Sequence, residues 1–394
     1  MRFSTESVAR CSARIGKLSE IESLPNLSFE TPLLMIYTRR GCVPHLTKNV
    51  FKKLTKEQEL LATSLSSSIR IADFCKPSQS FSDFVGMQEY PFFMNIHDPA
   101  ELSESGHQVK DSISVWSRNG RSSVSPERYM QIIEQLKPEM YVTLCDGDTD
   151  KDSSEKRIMK GFERTKKQFE QCIKIHTQSK VLQNKGVLGA IEGGYNLKAR
   201  EKCIQFMENK PLLGYAIDGL HKNGPTVQNI STSQIEPVVK HCVNLLPIEK
   251  LKAMMGCWNP SVILDLVNLG IDLFDSSYPY IMTENNKALT FLCDDCQEGN
   301  VKESINLEEK CYVEDFSPIC KSCDCLTCKN HTKAYIHHLI QTKELLSQVL
   351  LMIHNTHHYM EFFKNIRRHI KEGTFQEFKT KIQSRCLNSI KNKA

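Results

Sequence analysis

A closed (β/α)8 barrel with a metal-tied C-terminal region is the fold class that three observations predict. Eight short apolar runs lie between residues 31 and 276, each followed by a longer segment of helical periodicity. Near-continuous apolar strands alternating with helices indicate a parallel β/α architecture, and eight of them fit a barrel better than an open sheet. Seven of the chain's sixteen cysteines then fall between Cys293 and Cys328. Clustered thiols in a chain without a secretion signal point to a metal. The expected organisation is a barrel over residues 1–290, with a zinc-binding subdomain and C-terminal helices over 291–394 packing on it.

The expected strands, in order, are Thr31–Thr38, Pro91–Ile96, Ile113–Ser117, Met140–Asp146, Gly186–Gly193, Leu213–Gly219, Lys252–Trp258 and Gly270–Ser276. Ser125-Pro126-Glu127 reads as a helix start, with serine as the cap and proline in the first turn. Gly147–Lys156 is polar and reads as a mobile loop after the fourth run. No strand is followed by a phosphate-binding glycine fingerprint; Gly193-Gly194 is too short for one. After the cysteines, residues 333–369 carry helical periodicity over a length that suggests two helices, with a break near Asn355. The basic end of the chain (Lys364, Arg367, Arg368, Lys371, Lys379, Lys381, Lys391, Lys393) reads as a solvated helix face or as a contact for a nucleic-acid backbone.

Forty per cent hydrophobic and a quarter charged residues describe an ordinary globular chain, and 51 basic against 46 acidic residues leave +5. That balance permits nucleic-acid binding without requiring it. No apolar run approaches the roughly 18 residues that cross a bilayer. The first residues lack the apolar core of a secretory signal, and the acidic Glu6 among Arg2, Arg10, Arg14 and Lys17 weakens an import signal. A cytosolic setting with reduced thiols is the expectation.

Cys323-x-Cys325-x2-Cys328-x25-His354 offers three thiolates and an imidazole. Four such ligands close a tetrahedral zinc site, one ion per chain, with no open position for water, so its role is structural. An all-cysteine set using Cys320, or Cys293 with Cys296, competes, as does a set of metal-free thiols. By spacing alone His331, His337, His338, His357 and His358 also remain open as the fourth ligand.

Four carboxylates fall at the C-terminal ends of expected strands: Asp146, Glu192, Asp218 and Asp275. Active sites of barrels of this class are built on that rim. A shared pocket there suits proton transfer, or a carboxylate nucleophile attacking a sugar carbon.

In several ordered segments the chain resembles the tRNA-guanine transglycosylase family, from about Ser12 to Lys379. They are Val124–Arg128, Tyr141–Asp146, Gly189–Gly194, Leu213–Leu220, Met254-Met255-Gly256, Gly270–Pro279, the cysteine cluster and Ala334–Ile340. The resemblance implies a zinc-bearing barrel that exchanges guanine in a tRNA anticodon loop for a 7-deazaguanine, queuine in eukaryotes. It also implies an Asp nucleophile on the ribose C1′, and its x25 gap favours His354 as the fourth metal ligand.

Asp275 matches the nucleophile's position, and Asp146 matches an acid that reads the base. Three departures follow. The family's D-S-G-G-F-Q motif, which supplies the general acid/base, is replaced by FFMNIHDPAELSESG from Phe92 to Gly106. The pocket glutamine is Glu192, and the Arg expected after Pro279 is replaced by Tyr280-Ile281. They match a non-catalytic branch, with Asp275 a vestigial nucleophile and Asp146, Glu192 and Asp218 a remnant pocket. Such a chain is expected to pair with a catalytic homologue, to help hold tRNA, and to be cytoplasmic. Self-association without the partner and a peripheral place on the mitochondrial outer membrane are compatible with this branch. The rival expectation is an active enzyme using Asp275, with Asp98 as the replacement acid.

Overall fold

The computed structural model describes residues 1–9, 11–109, 111–117, 120–294 and 301–391. Eight parallel strands close a barrel in sequence order: β1 (Leu33–Tyr37), β2 (Leu61–Ser64), β3 (Phe92–Asn95), β4 (Met140–Val142), β5 (Gly186–Ile191), β6 (Gly214–Ile217), β7 (Leu251–Ala253) and β8 (Leu273–Asp275). Closure runs through β8 to β1, where Leu273, Phe274 and Asp275 pair with Leu33, Leu34 and Met35. Almost every barrel-strand residue is buried, which explains why the runs are apolar throughout and do not alternate. The helices that follow begin on side-chain caps: Ser125 before Pro126–Leu136, Ser154 before Glu155–Gln178, Asn196 before Leu197–Met207 and Asn259 before Pro260–Asn268.

Six of the eight expected runs contain a barrel strand, and a seventh, Lys252–Trp258, overlaps the strand Leu251–Ala253 only at residues 252 and 253. The exception, Ile113–Ser117, pairs antiparallel with Gly120–Val124 in a hairpin outside the barrel. Its place in the barrel is taken by Leu61–Ser64, a four-residue strand whose Thr63 hydroxyl satisfies itself on Ser68 Oγ at 3.1 Å. That short, half-polar run does not stand out as a strand in the sequence.

A three-stranded antiparallel sheet (Arg2–Val8, Arg14–Ser19, Phe29–Thr31) adjoins the end of the barrel where β8 begins. There Arg14 is buried and binds Asp272 through Nε at 2.8 Å and through Nη2 at 2.5 Å, with Lys250 O as a further acceptor at 2.8 Å. Two parallel hydrogen bonds to a carboxylate are the arrangement in which a buried guanidinium is tolerated.

The C-terminal region contains helices Lys333–Gln341 and Leu346–Glu372, then Phe375–Lys391. The expected break near Asn355 does not occur; the chain turns at residues 342–345 instead. Asn355 is fully buried in mid-helix and its side chain is used sideways. Its Oδ1 accepts from Leu289 N at 2.9 Å, and its Nδ2 donates to Thr283 Oγ1 at 3.0 Å and Lys287 O at 2.9 Å. The helix is thereby joined to the end of the barrel chain.

The charged C-terminal residues are largely neutralised by the body of the protein. Lys371 pairs with Glu30, Lys379 with Asp265, and Lys381 with Asp294. Lys364 is within reach of Glu361 and Glu57, and Arg367 donates to Pro32 O. Of that basic list, Lys393 lies outside the described residues.

Candidate functional site: a filled barrel mouth and a Cys3His cluster

The carboxylates at the C-terminal rim fall into two groups. Asp146, just past β4, is 1% exposed and is held from one helix, Glu155–Gln178. Arg157 donates to it from Nη1 at 3.2 Å and from Nη2 at 2.5 Å, and Arg164 Nη1 donates at 2.9 Å. Positions 157, 161 and 164 share one helix face. Gly161 lies between the two arginines, where an added Cβ would stand 3.3 Å from Asp146 O. It would also stand 3.1 Å from Arg157 Nη1, so the glycine leaves room for the close approach of helix and clamp. Thr165, on the next position, accepts from Asp146 N at 2.9 Å.

The segment expected to be a mobile loop packs into the mouth. Thr149 is 2% exposed and donates to Gly219 O at 2.7 Å, and a Cβ on Gly147 would stand 2.7 Å from Asp218 Oδ2. Cys145, Glu192 and Asp218 lie beneath, with one ligand-type atom from each within 4.8 Å of the others. Among the described residues neither carboxyl oxygen of Glu192 meets an N–H or O–H donor, and the Cys145 thiol faces it. Burial first, then the charge of Asp218, pushes Glu192 up to about 8, while Arg200 opposes the shift. Glu192 stands where a neutral glutamine was expected, and its burial beside Asp218 favours the protonated carboxyl.

Asp275 belongs to the second group. It is 2% exposed, its Oδ2 accepts from Gly256 N at 2.7 Å and its Oδ1 from Ser277 N at 2.8 Å. Burial raises it to about 6 against these hydrogen bonds, and Asp98 adds like charge. Asp98 accepts from Tyr37 Oη at 2.7 Å and from Ala100 N at 3.0 Å. Sequence reasoning named every carboxylate here but missed the clamp; the spacing Arg157-x3-Gly161-x2-Arg164 after a serine cap was the available signal.

The second site lies beyond the barrel. Cys325 caps the short helix Leu326–Asn330, and Cys328 lies in its first turn. The sulfurs of Cys323, Cys325 and Cys328 stand 3.9, 3.6 and 3.3 Å from His354 Nδ1. Four ligands around an ion at bond lengths of about 2.0–2.3 Å lie roughly 3.5 Å apart, so the set fits a tetrahedral ion. His354 Nε2 donates to Leu289 O at 2.8 Å, leaving Nδ1 as the ligand atom. The other histidines are used differently: His358 Nε2 accepts from Leu292 N and His337 Nδ1 bonds Leu307 O. His357 approaches Cys323 alone, at 3.8 Å. Cys293 and Cys320 are joined as a disulfide. That departs from the expectation of reduced thiols and removes Cys320 from a four-cysteine set. Cys296 lies outside the described residues.

With this geometry in view, the comparisons decide the family. The family model for queuine tRNA-ribosyltransferase matches residues 9–387. The chain belongs to the queuine tRNA-ribosyltransferase (tRNA-guanine transglycosylase) family. Among its relatives are proteins named "Queuine tRNA-ribosyltransferase accessory subunit 2". The one from Culex quinquefasciatus is 41% identical over 384 residues, covering 96% of this chain and 90% of the relative. Those from Aedes aegypti (39% over 388 residues; 97% and 92% covered) and Drosophila melanogaster (37% over 387 residues; 96% and 91% covered) follow. No described helix is long and apolar enough to cross a membrane.

Two outcomes follow from the site. His354→Ala or Cys325→Ala is expected to abolish one bound metal ion per chain in elemental analysis, whereas Cys320→Ser retains it; full occupancy in His354→Ala would exclude the Cys3His assignment. Glu192 offers a pH test. Its folded value of about 8 lies above the unfolded carboxyl range near 4.3, so the folded state holds a proton that the unfolded chain releases. Stability is therefore lost as pH rises between these values. Glu192→Gln should flatten the loss of stability as pH rises from 5 to 8.5, read by urea unfolding; an identical pH profile in the variant would contradict the assignment.

Proposed function

We propose that this chain is the accessory, non-catalytic subunit of a queuine tRNA-ribosyltransferase, pairing with a catalytic homologue and helping it hold tRNA. The observation that carries this reading is the mouth of the barrel. The acid expected to read a purine, Asp146, is engaged by Arg157, Arg164 and Thr165, and Thr149 is packed beside Glu192 and Asp218. A base would have to displace the chain's own side chains before it could meet either carboxylate. The names of the relatives agree with this role.

In this reading the ion in the Cys3His set is one structural Zn2+, held by Cys323, Cys325, Cys328 and His354. Residues 291–394 act as a zinc-tied unit that supplies much of the partner interface. Val313, Phe316, Tyr335, Leu345 and Leu346 support that use, since they leave apolar surface exposed on this region, 74% for Phe316 and 79% for Leu345. A catalytic partner also supplies a reason for a basic, tRNA-holding surface here, because a folded tRNA exceeds the face of one barrel. A cytoplasmic place, with peripheral attachment to the mitochondrial outer membrane and self-association without the partner, belongs to the same proposal.

A second reading has one observation in its favour: Asp98 is buried, oriented by Tyr37, and close enough to Asp275 to influence its charge. Such a pair could serve as acid/base and nucleophile. The two readings separate on Asp275→Asn, tested in the complex with the catalytic homologue. The accessory reading predicts guanine exchange within about twofold of the unaltered complex, well under the roughly tenfold change that 1.4 kcal/mol would give. Loss of a hundredfold or more would establish chemistry at Asp275.

A further inference from the structure

Beside the filled mouth, past the ends of β1 and β2, lies an open cleft of about 530 Å³ lined by Arg39, Arg40, Ser66, Ser67, Arg70 and Phe74, among others. Its charge is unbalanced. Arg39 is occupied by Asp98, Glu101 and Tyr280. The guanidinium groups of Arg40 and Arg70 have neither a hydrogen bond nor an ion pair among the described residues. Only Arg121 shares that state among the described arginines; every other has an acceptor.

The backbone presents these groups deliberately. Arg39 and Cys42 exchange both backbone hydrogen bonds, N to O, at 2.9 and 3.1 Å, so Arg40-Gly41 form a two-residue turn. Both turn residues have positive φ, 56° and 80°. Turns of this kind favour Asn and Gly, and a long cationic side chain at the first position is a local misfit. Ser67 Oγ accepts from Arg40 N at 3.3 Å and ties the turn to the next strand's loop. Arg70 and Phe74 lie on the turn that follows; Asp73 N bonds Arg70 O, and Arg128 holds the Asp73 carboxylate at 2.5 Å. Phe74 is 72% exposed. An aromatic face in water, beside two unneutralised guanidiniums, is the combination that binds unpaired nucleotides.

We propose that this cleft binds single-stranded RNA, with Arg40 and Arg70 each taking a backbone phosphate and Phe74 stacking on an unpaired base. This rests on the accessory-subunit reading and locates where such a subunit would grip its RNA. Among the described residues the proposed contacts, Arg40, Arg70 and Phe74, pair with none of the carboxylates of the mouth. It reads no base edges, so its contribution is sequence-tolerant: phosphate contacts position RNA, and stacking accepts any base.

The test uses the complex with the catalytic homologue and an unmodified tRNA, with binding measured from about 50 to 200 mM salt. Arg40→Gln/Arg70→Gln should weaken tRNA binding about tenfold and lower the slope of log affinity against log salt by about 1.4, at roughly 0.7 per phosphate on a single strand. Phe74→Ser should weaken binding by about fivefold or more with the slope unchanged, since stacking releases no counterions. All three side chains face solvent, so melting temperature and partner association, read by size-exclusion chromatography, should stay as in the unaltered chain. If affinity and slope are unchanged in the double variant while the complex forms and exchanges guanine, the cleft is not an RNA site and the accessory reading stands. If the double variant loses the partner and not the tRNA, the cleft is a protein-docking surface and the proposal is overturned. If the unaltered chain neither joins the homologue nor supports exchange, the accessory reading itself is lost.

Discussion

Burying a carboxylate at the mouth of a barrel is costly unless paired charge comes with it, and Asp146 obtains that charge from Arg157 and Arg164. Much else at this end of the molecule is arranged around the contact. Gly161 lets the helix approach closely enough to make it, and Thr165 closes on the Asp146 backbone from the same face. The helix begins at Ser154, so the preceding segment must run back over the mouth, which places Thr149 against Gly219. Removing one partner from such a buried pair typically costs about 3–5 kcal/mol. A ligand competing for Asp146 would have to offset a cost of that order. Glu192 lies beneath this cover beside Asp218 and the Cys145 thiol, where burial and the neighbouring charge push its carboxyl up to about 8.

A second set of contacts makes the C-terminal region continuous with the barrel. Along one face of helix Leu346–Glu372, His354 points Nδ1 at three sulfurs and donates Nε2 to Leu289 O. One residue on, Asn355 takes Leu289 N and Lys287 O, and Tyr359 donates to Trp258 O at 2.9 Å. The cysteine cluster thus does more than close a loop: the residue that completes it is bonded to the segment leaving the last barrel helix. Of the tail's described cations, Lys371, Lys379 and Lys381 are matched by Glu30, Asp265 and Asp294. Among the described residues the guanidiniums of Arg40 and Arg70 are unmatched, and they line the cleft past the ends of β1 and β2.

Most of the barrel could be read from the residues because buried parallel strands leave an unbroken apolar run. Where that logic weakens, so does the reading. Leu61–Ser64 is short and ends in hydroxyls that bond locally, whereas Ile113–Ser117 is as apolar as a barrel strand but finds its partner two residues away. Cys323, Cys325 and Cys328 announce themselves by spacing; His354 stands out from its neighbouring histidines through the x25 gap of the resemblance, and the structure adds the bond to Leu289 that leaves Nδ1 facing the sulfurs. The rim acids were visible as strand-end residues. Their grouping was not, because the arginines that claim Asp146 arrive from the next helix and are conventional surface cations in the sequence. Asn355 shows the same limit: a polar residue in a long helical stretch suggests an end, and only its buried partners reveal a tether.

The central claim is that the mouth of this barrel is closed by its own side chains and that exchange takes place in a partner. The most direct measurement is guanine-for-queuine exchange into tRNA by this chain alone, by the catalytic homologue alone, and by the two together. The account predicts exchange in the mixture and none from this chain by itself. Exchange by the isolated chain would contradict it and would turn attention to Asp98 and Asp275.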